Sequence, residues 1–476
     1  MPTGIDTFPP VQRATAAVSG GPAWAERDGN RHAGVLFDRR RLLGGAALAG
    51  LAAAGGGPAW AAAVPPETGA AEESIVNVCN FGARGDGRRD NTGAFQKALD
   101  AVSAKGGGIV NVPTGNYLFK GHLVLPAQTT LQGVYRAPEA FVRHTGTVLW
   151  PTEGHGKADG PAFLTQRGPN VTLRGLAIYY PRQDAKAEEP APYPWTIRGT
   201  TDNLTVLDVA LTNPYQGLNL ELAGRHYIAR VYGQPLLTGL YADQIYDIGR
   251  IENIHFWPFW VNWHAPLCRW ISRHGTGLRF ARSDWEYVFN TFVLGYNVGY
   301  HFTKSAHGAC NGNFVGLGAD ASARTAILVE HADPYGLLIT NGEFVADQRP
   351  DSVGIIVEPS NQGVVCLQNC AFWGPSQHIA TLRGTGSASF LGCTFCSWDK
   401  HQRGAAAFLL DGAATSISNC VFNHLGSGHV AAQITPRCLS AVITGNTMRA
   451  AEFTVKRPAG LSTRRFHIAG NVATED

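Results

Sequence analysis

This chain is short of charge. Asp, Glu, Lys and Arg make up 16% of its 476 residues, and the formal net charge is +3. Six of the 39 basic and four of the 36 acidic residues fall within the first 61 positions, leaving the remainder nearly neutral. No basic stripe with interleaved aromatics survives, so the footprint of a nucleic-acid binder is missing. Long apolar runs are missing too: beyond the N-terminus no segment has the length and apolarity of a transmembrane helix. The loop GARGDG (Gly82–Gly87) lacks the Lys-Ser/Thr of a phosphate loop, the glycine spacing of a dinucleotide site and the ligand spacing of an EF-hand. A single C-x-x-C, Cys393 and Cys396, has no second pair or paired histidines beside it, so no metal set is expected.

Glycine, by contrast, is plentiful at 57 residues, and 44% of the chain is hydrophobic. That combination indicates a globular chain with many turns, all-β or solenoidal rather than helical. The N-terminus reads as an address. Asp38–Ala63, DRRRLLGGAALAGLAAAGGGPAWAAA, has consecutive arginines, a short Gly/Ala-rich apolar core and Ala59-Trp60-Ala61. A positive region, an apolar region and an A-x-A site make a cleavable export signal, of the twin-arginine type by its paired arginines. Residues 1–63 are therefore expected to be leader, and the mature chain periplasmic or extracellular with no stable membrane insertion.

An internal repeat organises the rest of the chain. VTLRGLAI (Val171–Ile178), LTVLDVAL (Leu204–Leu211), GRIENIHF (Gly249–Phe256), LLITNGEF (Leu337–Phe344), VCLQNCAF (Val365–Phe372), ASFLGCTF (Ala388–Phe395), SISNCVF (Ser416–Phe422) and AVITGNTM (Ala441–Met448) share one rhythm. The closing residues Phe344, Phe372, Phe395, Phe422 and Met448 come at intervals of 28, 23, 27 and 26. Between copies lies a second phrase, as in GLNLE (Gly217–Glu221), GIIVE (Gly354–Glu358) and AAFLL (Ala406–Leu410). Each period thus holds at least two short alternating strands, which predicts a parallel β-helix; a propeller blade needs a longer repeat. Cys370, Cys393 and Cys420, with Asn446 next, occupy one place in consecutive repeats and are expected to form a buried column of small side chains, which also accounts for an odd cysteine count.

At the start of the solenoid, Val76–Val78 reads as a strand, Asp90–Thr92 as a helix N-cap, and Phe95, Leu99 and Val102 as the helix's apolar face. Such a helix covers the open end of a solenoid, which would otherwise expose core and strand edges. The run NFGARGDGRRDNTGAFQKALDAVSAKGGGIVNVPTGNYLF (Asn80–Phe119), followed by LVLPAQTTLQG (Leu123–Gly133), resembles the opening module of the pectate-lyase-like superfamily, which includes the family 28 glycoside hydrolases. Asn80 and Asn91 stand where the family's pattern has aspartates. The resemblance implies a right-handed, single-stranded parallel β-helix, all-β apart from the capping helix. Residues 74–135 are its cap and first coils, and 136–472 the remaining solenoid. Neither the family 28 catalytic phrases nor the pectate-lyase calcium set is present, so no catalytic residue carries over from the resemblance.

Candidate sites come from local composition. Six of eleven tryptophans fall between Trp195 and Trp285, interleaved with His, Arg and acids. Sugar rings present apolar C–H faces, and carbohydrate sites use aromatic platforms with polar edges. Tyr179, Tyr180, Trp195, Tyr215, Trp257, Trp260, His264, Arg282 and Trp285 are the expected substrate contacts, in a lateral groove that takes a polysaccharide or oligosaccharide. Glycosidic hydrolysis needs two carboxyl groups. Asp243, Asp247, Asp284, Glu286 and Asp320 are the candidates, Asp284 and Asp320 foremost, whereas Glu252 fits a turn. A glycoside hydrolase working without a cofactor is the leading expectation. A polysaccharide lyase acting on a uronic-acid glycan is the alternative, with a divalent cation such as Ca²⁺ on the carboxylate, and the Arg269, Arg273, Arg279 and Arg282 cluster keeps it open. A non-catalytic glycan-binding β-helix is the third reading.

Overall fold

The computed structural model describes residues 74–135, 145–423, 429–449, 451–461 and 463–474. The expected leader, 1–63, lies outside them. The described chain is a parallel β-helix, with one sheet of 13 strands and another of 25 strands. Each coil gives one short strand to the smaller sheet and then a longer run to the larger. That longer run bends at one residue with positive φ: Asn253, Asn290, Asn341, Asn369 and Asn419, or glycines such as Gly175, Gly316, Gly392 and Gly445. The repeated phrase of the sequence is this bend with its two flanking strand segments, and GLNLE is the smaller sheet's strand.

Period-2 alternation sends every second side chain inward, where identical types stack from coil to coil. Phe344, Phe372, Phe395, Phe422 and Met448 are in register, as the intervals predict. Successive rings lie 4.9, 6.0 and 5.0 Å apart between centroids. Cys370, Cys393 and Cys420 are buried, and all nine cysteines are free thiols. Asn446 continues their column, with its Oδ1 accepting from Cys420 N at 2.9 Å.

The cap has the expected pattern with one difference. Helix α1 spans Thr92–Ser103 and buries Phe95, Ala98, Leu99 and Val102. Asp90 Oδ1 accepts from Thr92 N at 3.0 Å. Asn91 turns into the fold instead, its Oδ1 accepting from Arg84 N at 2.7 Å. A second helix, α2 (Pro266–His274), is one that the sequence reading does not anticipate. Its signals are a proline in the first turn and Leu267 and Ile271 at i and i+4 on the buried face. No described helix is long and apolar enough to cross a membrane.

Candidate functional site

The smaller sheet carries an outward row of polar and aromatic side chains. Arg198, Asn219, Tyr241, Arg279 and His301 are in register on the strands Trp195–Arg198, Gln216–Glu221, Thr238–Asp243, Thr276–Phe280 and Val298–Phe302. Ile197, Leu218, Leu240, Leu278 and Tyr300, one position earlier, are buried in the core. At about 4.8 Å per coil the row extends about 19 Å. It ends where Leu328 and Ile356, both buried, take the same position.

The groups in this row are tied to one another. The Trp195 and Tyr241 rings stack with centroids 6.5 Å apart, and the Arg279 guanidinium lies 5.4 Å from the Tyr241 centroid. Arg198 Nη2 lies 3.0 Å from Glu221 Oε2. His301 Nε2 lies 2.9 Å from Glu330 Oε2, close in distance though not aligned as a hydrogen bond. Glu330 also accepts from Thr303 Oγ1 at 2.7 Å. Burial holds His301 below the ordinary histidine value of 6.5 against the pull of Glu330, so its imidazole is neutral near neutral pH. Burial and the Asp243 carboxylate push the Tyr241 phenol up, keeping its proton in place. For Glu330, burial opposes the charge, but Thr303 and His301 outweigh it and the carboxyl lies below its usual range.

An aromatic ridge borders the sheet just beyond its strands. Tyr246 is 57% exposed, Trp285 58% and Tyr335 83%. Trp285 also holds a left-handed backbone, φ 52°. A bulky side chain is disfavoured there, and such outliers cluster where ligands bind. Arg282 braces this ridge, 5.5 Å from the Tyr246 centroid and joined to Asp284 at 2.5 and 2.7 Å.

The sequence-nominated residues are scattered by this geometry. Trp195 lies on the sheet face, and Tyr215 lies on its other border, 6.2 Å from Trp270 of α2 between centroids. Arg282, Asp284 and Trp285 lie on the ridge. Asp243 ends its strand buried, its carboxylate accepting from Gln244 N, Arg282 N, Ser305 Oγ and Tyr241 OH. A carboxylate so occupied orders the turn and is not available to substrate. Asp247 is a turn residue paired with Arg225 at 2.8 Å. The expectation that Glu286 is catalytic is corrected outright: its side chain is wholly buried, 2.8 Å from His226 Nε2 and bonded by Ser283 Oγ. The spacing that suggests an Asp284/Glu286 pair on one face fails because Trp285, between them, breaks the alternation. Asp320 closes a strand of the larger sheet, where burial and then Asp347 and Glu343 raise its pKa, and it accepts from Ala321 N at 2.6 Å.

Among the aromatics, Tyr180 and Trp260 are buried and cannot meet a substrate. Tyr180 is fixed by Asn213 and Thr196. Trp257 stacks on Phe292 of the larger sheet, centroids 6.4 Å apart, and Tyr179 lies 6.1 Å from Trp150 on that side too. His264 is exposed on the loop leading into α2. Sequence reasoning missed Arg198, Tyr241, His301 and Glu330. The signal was present: the third position of GLNL (Gly217–Leu220), GLYA (Gly239–Ala242), GLRF (Gly277–Phe280) and GYHF (Gly299–Phe302) gives Asn219, Tyr241, Arg279 and His301. No group of three or more His, Cys, Asp or Glu side chains converges among the described residues.

Residues 75–148 match the family described as rhamnogalacturonase A/epimerase, pectate lyase-like. The chain is a parallel β-helix whose first coils are similar to that family. Alginate lyase 7 of Azotobacter vinelandii is 51% identical over 45 residues, which are 10% of this chain and 5% of that protein. The chain thus spans only a small part of that relative's length. Among solved structures, the N-terminal fragment of bacteriophage Phi29 gene product 12 aligns with a TM-score of 0.55 at 14% identity, over 84% of this chain and 70% of that one. A mutant tailspike protein of E. coli bacteriophage HK620, in complex with a pentasaccharide, aligns with a TM-score of 0.50 at 10% identity, over 84% and 78%. These likenesses are of fold. The family match ends before the first strand of the polar row.

Proposed function

We propose that this β-helix is an exported enzyme acting on a uronic-acid-containing polysaccharide laid across the smaller sheet, by removing the proton beside the sugar carboxylate. The observation that carries this reading is the order Tyr241, Arg279, His301 on three successive strands. Arg279 pairs with the uronate carboxylate and stabilises the charge that develops on it as the proton leaves. The neutral imidazole of His301, beside Glu330, takes that proton. Tyr241, still protonated, stands on the other side of Arg279. It gives its proton to the departing glycosidic oxygen, leaving an unsaturated sugar, or to the same carbon from the opposite face, leaving the epimer. The relative and the family, named for a lyase and an epimerase, fit either outcome. Trp195, Trp285 and Tyr246 supply platforms for the flanking sugars.

Hydrolysis is the second reading, and one observation favours it. Glu330 and Glu358 come directly after paired residues on adjacent coils, which places them at about glycosidase separation. Glu330 is held below the usual carboxylate range by Thr303 and His301, so it is not the protonated acid that hydrolysis requires, and Glu358 is paired with Arg324 at 2.7 Å.

The deciding experiment incubates the mature chain with alginate, pectate and neutral glucans. Ultraviolet absorbance of unsaturated ends, reducing ends and the sugar's proton signals are followed together. Elimination gives absorbance and reducing ends, and epimerisation gives neither but changes the sugar's proton spectrum. Reducing ends alone would establish hydrolysis and overturn the proposal, as would turnover undiminished by Arg279→Ala. Binding without any product would leave a glycan-binding β-helix.

A further inference from the structure

The bend of the larger sheet contains an anomaly with no structural necessity. Twelve residues from Gly175 to Gly470 occupy this corner in register on consecutive coils, and all have positive φ. Five are glycine and five asparagine, the residues that tolerate this conformation. The remaining two are consecutive: Asp208, φ 52°, and Arg230, φ 53°. Arginine has neither glycine's freedom nor asparagine's local hydrogen bonding, so its presence there is an exception in the column.

The two side chains face each other, Arg230 Nε to Asp208 Oδ1 at 2.7 Å and Nη2 to Oδ2 at 2.7 Å. They line a cleft of about 700 Å³ with Gln132, Gly133, Tyr135, Arg174 and Gly175. Arg174, one position before the corner on the neighbouring coil, is exposed and donates Nε to Gln132 Oε1 at 2.7 Å. Among the described residues no carboxylate stands against it. Beside the cleft Tyr135, Val148, Ala177 and Ala210 are buried, and the partly buried rings of Trp150, Tyr179 and Tyr232 pack against them. Two guanidinium groups, a carboxylate and an amide beside aromatic rings are what an acidic sugar requires: planar donors for its carboxylate and hydroxyls, apolar surface for its ring.

We propose that this cleft is a second saccharide site, for acidic oligosaccharides, on a different face of the coil from the smaller sheet. Arg174 receives the sugar carboxylate, the Asp208–Arg230 pair its hydroxyls, and the strained corner is retained because it aims that pair. Tyr179, expected from the sequence to meet a sugar, does so here rather than on the sheet face.

The test is calorimetric titration with short oligogalacturonate and oligomannuronate, and with a malto-oligosaccharide as neutral control. The Arg279→Ala background removes binding at the sheet face. Residual binding of an acidic probe is expected, falling tenfold or more on adding Arg174→Gln or Arg230→Asn, while the neutral probe does not bind. Because asparagine suits the corner, Arg230→Asn is expected to leave Tm unchanged or raised. Absence of acidic binding in Arg279→Ala, or residual binding that neither variant weakens, overturns the proposal. So does a loss confined to Arg230→Asn and accompanied by a fall in Tm, which would make the pair a clamp of the fold. Turnover at the sheet face is measured in parallel with the two single variants, so failure of that reading is told apart from failure of this one.

Discussion

Two stretches of one sheet have outward rows of opposite character. From Arg198 to His301 the row is polar and aromatic, while from Leu328 onward it continues through Ile356, Thr381 and Leu409. The inward rows behind them are equally apolar and equally buried in both stretches. The inward row therefore makes the solenoid, and the outward row is free to vary. Where it departs from plain scaffold, in the first stretch, the departure needs a reason outside the fold. Substitutions in the two stretches should accordingly have opposite effects. The largest expected effect is on the scaffold: Phe395→Ala, in the stacked column, should lower stability by about 3–5 kcal/mol by leaving a cavity between coils. Denaturant unfolding measures this, and kcat per folded molecule should not change.

The converse variant is His301→Gln. It should reduce turnover about 10²–10⁴-fold, the usual contribution of a general base, with little change in Tm. In the wild type the pH dependence carries a signature. Because burial lowers the His301 pKa, more than half of the imidazole is neutral at the ordinary histidine value of 6.5. Activity should therefore rise with pH along a limb centred below that value and then level off. A limb centred above it would mean that Glu330 dominates and that the site differs in character from the proposal.

The same contrast sets how much of the fold and the site is legible in the sequence. Inward positions announce themselves locally: Phe395 lies in a repeated phrase, and Phe95, Leu99 and Val102 lie on one helical face. Outward neighbours are set by coil length, which local pattern does not give. Tyr241 and Arg279 are adjacent in space but 38 residues apart, whereas the other steps of the row are 21 or 22. The loop containing α2 accounts for the difference. The same loop concentrates the tryptophans in sequence and then distributes them, Trp260 to the core, Trp257 to the larger sheet and Trp270 to the border of the groove. Composition located the region; only the register located the site.

Trp285 is the next sharpening of the comparison. It is as large as a core residue yet 58% exposed, so Trp285→Ala should change stability by less than about 1 kcal/mol. Loss of an exposed aromatic platform should weaken oligosaccharide binding by about 1–2 kcal/mol, read by titration. A large loss of stability would instead make Trp285 part of the scaffold.

The smallest effect tests the corner column itself, in the scaffold half. Asn369, φ 52°, sits in it and donates Nδ2 to Asn341 Oδ1 at 2.6 Å. Asn369→Gly keeps the permitted conformation and loses one exposed hydrogen bond, so stability should change by only about 0.5 kcal/mol. Asn369→Ala loses the same bond and also meets the Cβ clash, which should raise the cost to about 1–2 kcal/mol. The difference between the two variants isolates the backbone term from the side-chain term. That difference is also the steric burden Arg230 carries on the other half of the same column. If alanine and glycine at 369 are equally stable, the corner imposes no such burden, and the argument from Arg230's presence there loses its force.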